Sequence, residues 1–251
     1  MTSFRDVRLI GVDWATDDCK RGVAVVDSVD DTTSIVDLSA CSSRLTALHA
    51  IGTAISGTTA PSVIAVDAPL GWPAGLSQAL SHHEAGGYLE VHANEMFSRE
   101  TDRFIQETLK KKPLEVGANL IARTAHSANQ FLNTLRRELS CAMPLLWSPD
   151  EVVKLGVIEV YPAATRIAVG NLSMSEILGL PPDEPAVSNP HVRDALWCAI
   201  AALHFIRGEC YPPSDERSSR REGWIWVRRI AATRENSSRR RTRGAINSGQ
   251  V

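Results

Sequence analysis

The sequence predicts an α/β fold: a mixed sheet whose first three strands are antiparallel and whose later strands are parallel, flanked by helices and carrying a largely helical insertion. Three observations predict it. Apolar runs at residues 7–13, 22–26 and 34–38 are joined by loops too short for a parallel return. A stretch with helical spacing then precedes another apolar run, residues 62–67, which can come back parallel to the first. A long segment of different character follows before the strand pattern resumes at residue 157.

Each element has its own signal. Val7-Arg8-Leu9-Ile10-Gly11-Val12-Asp13 is a buried strand ending in an acid, and Gly22-Val23-Ala24-Val25-Val26 a second strand. Asp30-Asp31 marks a turn into a third, Ser34-Ile35-Val36-Asp37-Leu38. Leu45, Leu48, Ile51 and Ile55 recur at helical spacing, and Gly57 supplies a stop. Ser62-Val63-Ile64-Ala65-Val66-Asp67 is again apolar and again ends in an acid. Residues 70–155 read as the insertion, lying over one end of the sheet. Val157-Ile158-Glu159-Val160-Tyr161-Pro162 restores a strand closed by proline. Asn189-Pro190 opens the clearest helix, a capping residue followed by proline at the first helical position. Its core stripe is Val192, Ala195, Leu196, Ala199, Leu203 and Ile206, and Gly208 ends it. Residues 223–227 read as a final strand. One domain over residues 5–230 and a disordered basic tail over 234–251 complete the organisation.

The acids fall where a site can form. Asp13 and Asp67 each end a strand; on adjacent parallel strands about 4.8 Å apart, both carboxylates point to one end of the sheet. Ligands in open α/β sheets bind beyond the carboxyl ends of the strands. Asp194 lies one helical turn after His191 and is offset from the core stripe, so both can face that end. Hard oxygen ligands with few protein contacts suit Mg²⁺ or Mn²⁺, which keep waters and take substrate phosphates. An isolated strand-terminal Asp is more often a turn cap; Asp13, Asp67 and His191/Asp194 point to a site only in combination. Glu159 sits mid-strand, where burial needs a partner, which makes it a ligand or the orienter of Tyr161 or an arginine.

Four segments, Gly11-Val12-Asp13, Ala65-Val66-Asp67-Ala68-Pro69-Leu70-Gly71, Glu159-Val160-Tyr161-Pro162 and Asp194-Ala195-Leu196, together resemble the successive motifs of domain-of-unknown-function family 429, predicted nucleases of the RNase H-like fold. Glu222-Gly223-Trp224-Ile225 resembles its C-terminal signature, and Arg99-Glu100-Thr101-Asp102-Arg103 its arginine-rich motif. His191-Val192-Arg193-Asp194-Ala195-Leu196 is also similar to the last metal-binding motif of Holliday-junction resolvases. The resemblance implies metal ligation by Asp13, Asp67 and Asp194, support from His191 and Glu159, and phosphate contacts from Arg99 and Arg103. Many RNase H enzymes carry a glutamate on the first helix, whereas residues 43–56 contain no acid.

Other features have plainer explanations. His82, His83, Glu84, Glu90, His92 and Glu95 lack the fixed spacing of a tight zinc site, so a solvated loop is expected. Lys110-Lys111-Lys112-Pro113 reads as a solvated helix end. The tryptophans read as core or interface residues, and Cys198 has no adjacent base. The net charge is −2, but seven arginines and one glutamate after residue 227 make that tail basic and leave the body acidic. Arg239-Arg240-Arg241-Thr242-Arg243 suits salt-sensitive contact with nucleic acid, and equally a solubilising terminus. Five cysteines without a CxxC pair, no charged-then-apolar leader and no apolar run of membrane length point to the cytoplasm and to no membrane partner.

The expected activity is metal-dependent hydrolysis of phosphodiester bonds in nucleic acid by a metal-activated water, catalysed by Asp13, Asp67, Asp194, His191 and Glu159. A phosphotransferase of the actin and sugar-kinase kind is the first rival, although the glycine-rich phosphate loops it needs are poorly represented. An inactive binding protein on the same fold is the second.

Overall fold

The strands form where apolar residues run unbroken. β1 (Asp6–Asp13), β2 (Arg21–Val29), β3 (Thr32–Cys41), β4 (Ser62–Asp67) and β5 (Leu155–Glu159) make one sheet in the order β3-β2-β1-β4-β5. β1 pairs antiparallel with β2, and β2 with β3; β4 lies parallel to β1, and β5 parallel to β4. This is the expected mixed sheet, and its order is consistent with an RNase H-like arrangement. The computed structural model describes residues 6–89, 91–152, 154–180 and 187–230; Glu90 and the basic segment 234–251 lie outside them.

The helices are α1 (Arg44–Ser56), α2 (Ala74–Leu80), α3 (Ala93–Phe97), α4 (Glu100–Leu109), α5 (Ile121–Glu138), α6 (Pro162–Val169), α7 (Met174–Leu178), α8 (Pro190–Ile206) and α9 (Glu216–Glu222). α8 covers one face of the sheet. The Asn189 side chain caps it by accepting from His191 and Val192. Its predicted stripe is buried throughout, but so are Trp197, Cys198, Ile200 and Phe205: α6 and α7 also pack on this helix, Cys198 faces Val12 of β1, and Phe205 packs on Trp226. On the other face α1 and α5 bury Ile51, Phe131, Leu132 and Leu135 against Ile10, Val23 and Ile64. The insertion therefore does more than lie over a sheet end: α5 supplies half of the second layer.

Two glycines set how closely α8 approaches. A Cβ on Gly11 would lie 1.9 Å from the Ala195 carbonyl oxygen, and one on Gly22 would lie 2.2 Å from that of His191. Only residues without a side chain let the helix backbone rest on β1 and β2 there. That contact carries the N-terminal turn of α8 to the end of β1.

The expected final strand is absent among the described residues. Segment 223–228 instead makes single bridges, Glu159 with Ile225 and Cys210 with Arg228. The reason is local: the Ile225 amide donates to Thr101 Oγ1 at 2.8 Å, outside any ladder, while the Trp226 amide reaches the Glu159 carbonyl at 2.9 Å.

Candidate functional site

β1 and β4 end level with each other, so Asp13 and Asp67 are register partners across the parallel pair. Both carboxylates sit at the C-terminal edge of the sheet, with Asp13 13% exposed. The start of α8 brings His191 beside them: its Nδ1 lies 2.8 Å from Asp13 Oδ2. Asp194, one turn further on, faces α6 and accepts from Arg166 at 2.6 Å.

The electrostatics of this edge are those of crowded acids. Burial, followed by the negative charges of Asp13, Asp194 and Glu159, pushes Asp67 well above the usual carboxylate range, and Arg166 offsets part of this. Burial raises Asp13 to about 6 against the opposing hydrogen bond from His191. Among the described residues, none donates a hydrogen bond to the Asp67 carboxylate. A carboxylate so placed is stabilised by a proton or by a cation.

The expected three-carboxylate metal site is not assembled. Among the described residues, no three His, Cys, Asp or Glu side chains converge closely enough to hold an ion between them. The reason is competition: Asp194 is held by Arg166 and Glu159 by Arg99. Asp13 and Asp67 remain as the pair. Mg²⁺ typically takes one or two carboxylates, keeps several waters and adds substrate phosphates, so this pair fits a hydrated hard cation.

The motif residues around the acids form a second, buried layer. Arg99 is 1% exposed, and its guanidinium donates to both oxygens of Asp102, to both of Glu159 and to the Glu222 carbonyl. Those contacts use its donors within the protein, so it is a structural cation and not the expected phosphate contact. Glu159 accepts from the Leu70 amide at 2.9 Å, and Glu222 accepts from the amides of Ala74 and Glu100 at 2.7 Å each. Together they lock segment 68–74, which follows Asp67. Glu159 is thereby corrected from candidate ligand to anchor of that turn: it ends β5, and its carboxylate is consumed by Arg99 and Leu70. Gly223, at φ +86°, lies where a Cβ would be 2.6 Å from Glu159 Oε2, so the glycine of the C-terminal signature is required by the same network. Arg103 donates to the carbonyls of Asn94 and Ser98, which ties α3 to α4 away from the acids.

Arg166 is the site residue that the sequence reading missed. Pro162 at the first helical position signals the helix that carries it, but nothing local to residues 162–169 announces that its last turn faces Asp194. The remaining candidates take plain roles. His82, His83 and Glu84 are exposed, His92 caps α3, and Lys110 ends α4 in the left-handed region. Cys198 donates to the Val12 carbonyl, and burial beside the acids pushes its thiol up, away from nucleophile chemistry.

A cavity of about 880 Å³ lies between β3 and α1, and none of Asp13, Asp67 and Asp194 lines it. A smaller one, about 400 Å³, opens directly beside Asp67. Among the described residues, no helix is long and apolar enough to cross a membrane. The family whose sequence profile matches the chain is described as Protein of unknown function (DUF429), with residues 11–177 covered. No curated protein and no solved structure matches the chain.

Proposed function

The chain belongs to this family of unknown function, and we propose that it is a divalent-cation-dependent phosphodiesterase acting on nucleic acid. The observation that carries the reading is the Asp13–Asp67 pair: two carboxylates in register, crowded by other acids, one of them without a donor among the described residues. Such a pair favours a bound cation over an empty site.

Asp13 and Asp67 would hold Mg²⁺ or Mn²⁺ through hard oxygens, with His191 steadying Asp13. When bound, the ion supplies an activated water and neutralises charge on a phosphate. The chain's own residues do the rest. Arg166, 41% exposed at the edge of the site, is placed to draw in a phosphate and to release Asp194 as it does so. Arg99, Glu159 and Glu222 hold the turn after Asp67 rigid, as a site built on fixed geometry requires.

The phosphotransferase reading fares worse on a specific point. A nucleotide phosphate needs backbone amides after β1 and β4, yet the Leu70 and Ala74 amides are already taken by Glu159 and Glu222. Carboxylates in those places repel a phosphate. The test is calorimetry with Mn²⁺ on wild type and Asp67→Asn, alongside cleavage of single- and double-stranded DNA and RNA. Mn²⁺-dependent cleavage that the substitution abolishes supports the reading. Absence of Mn²⁺ binding by the wild type at millimolar ion would sink it.

A further inference from the structure

The cavity beside Asp67 has a shape and lining that the acid pair alone does not require. Its floor includes Asp67 and Ala68 at the end of β4, and Tyr161 stands where the chain leaves β5. Pro113 and Leu114, from the segment joining α4 to α5, and Ile121 at the start of α5 also line it. Lys20 lies at the rim on the β1–β2 loop, and its ion pair with Asp17 is solvent-exposed, with the two side chains 61% and 50% exposed. Pockets that take small organic groups run to roughly 300–1,000 Å³, with mostly apolar walls and a few polar groups. This one, at about 400 Å³, belongs to that class. A hydrated ion and a phosphate need no such apolar volume.

We infer that this cavity takes one nucleoside phosphate unit, its base among the apolar walls and its phosphate beside Asp67 and Lys20. The assignment rests on the phosphodiesterase reading of the acid pair and names its substrate class. A base inside a duplex is paired and stacked, so only an unpaired or extruded nucleotide can set its base among these walls. Tyr161 offers a π-face, which binds any base without strong sequence preference. The favoured substrate is therefore a single strand or a frayed end, and continuous duplex is disfavoured. A free mononucleotide presents the same base and phosphate to the cavity, but as a monoester it would be bound as a product and not cleaved as a diester.

The test separates the cavity from the metal. Adenosine is titrated into the full-length protein in EDTA by saturation-transfer NMR, and adenosine 5′-monophosphate with Mn²⁺ by calorimetry. Wild type is expected to bind both. Thr124→Trp, on the cavity wall, is expected to weaken both at least tenfold with Mn²⁺ affinity unchanged; Ile121→Trp serves should that variant misfold. Mn²⁺ binding without adenosine binding, or adenosine binding indifferent to both tryptophans, overturns the cavity assignment and leaves the acid pair standing. Tryptophan-sensitive adenosine binding without Mn²⁺ binding supports the cavity and removes the metal reading. Displacement of the mononucleotide by a single-stranded hexanucleotide identifies a strand as the source, and displacement by neither strand nor duplex identifies the free nucleotide. Equal displacement by a blunt duplex overturns the preference for unpaired nucleotides.

Discussion

Arg99 and Glu159 stand 60 residues apart in sequence and meet at 2.8 Å, with side chains 1% and 3% exposed. The pair joins the start of α4 to the end of β5 under the turn that follows Asp67. Burial pushes Glu159 up, and the Arg99 charge holds it back. Removing one partner of such a pair leaves a buried charge uncompensated, which costs about 3–5 kcal/mol. Arg99→Met is therefore expected to lower the urea midpoint by a large fraction of total stability. A stable Arg99→Met with lost nucleic-acid binding would return Arg99 to the role of phosphate contact.

Asp67→Asn should trade function for stability. The wild-type carboxylate is crowded by Asp13, Asp194 and Glu159, so a neutral isostere relieves repulsion. The variant is expected to melt higher than wild type at pH 7 without divalent ion. Added Mn²⁺ should raise the wild-type midpoint and leave the variant unmoved. Equal Mn²⁺ responses in a thermal-shift assay would contradict this.

Stability should also fall as pH rises through the acid range. Asp13 titrates near 3.8 when unfolded and near 6 when folded, because burial disfavours its charge. The folded state thus holds the proton longer, and the stabilisation, complete below about 4, is lost by the time pH passes about 6. Asp67 is shifted in the same direction and extends the loss upward. Denaturation midpoints measured from pH 4 to 7.5 without divalent ion should decline, and Asp13→Asn should flatten the lower part of the curve. A wild-type midpoint rising across that range would be the contrary result.

Arg166→Ala should leave stability nearly unchanged, since a half-exposed ion pair is worth about 0–1 kcal/mol. Its effects should appear at the site. Removing the Arg166 charge leaves the negative charge of Asp194 uncompensated beside Asp67, so Mn²⁺ is expected to bind several-fold more tightly while KM for an oligonucleotide rises. Unchanged values of both would remove Arg166 from the site.

Gly11→Ala puts a methyl group where the Ala195 carbonyl oxygen now lies. The helix has to lift from β1, at a cost of about 1–3 kcal/mol or more. Because the same contact delivers His191 to Asp13, divalent-ion affinity should fall with stability. Alanine at Gly52, inside α1 where a Cβ meets nothing within 4 Å, is the control: it should leave divalent-ion affinity unchanged and raise stability by about 0.5–1 kcal/mol, as alanine for glycine does in a helix interior.

The strands, α1, α8 and the positions of Asp13 and Asp67 were legible in the chain alone, because each rests on a local rule: apolar runs, helical spacing, Asn189-Pro190 as a cap. The order β3-β2-β1-β4-β5 was partly legible, since loop length decides which neighbours can be antiparallel. Residues 223–228 misled because an apolar run signals burial, not which partner its amides will find. Arg99 misled because an arginine beside acids in sequence carries no mark of whether it ends in water or beneath a sheet.

What the sequence determined by itself is therefore the mixed sheet and the two acids at its edge, properties of local pattern and strand direction. Tertiary structure alone decided which charges are taken. Arg99 closes on Glu159, Arg166 pairs with Asp194, and Asp67 is left without a donor among the described residues. These outcomes depend on distances between residues far apart in the chain, and charges interact through space with no regard for sequence separation.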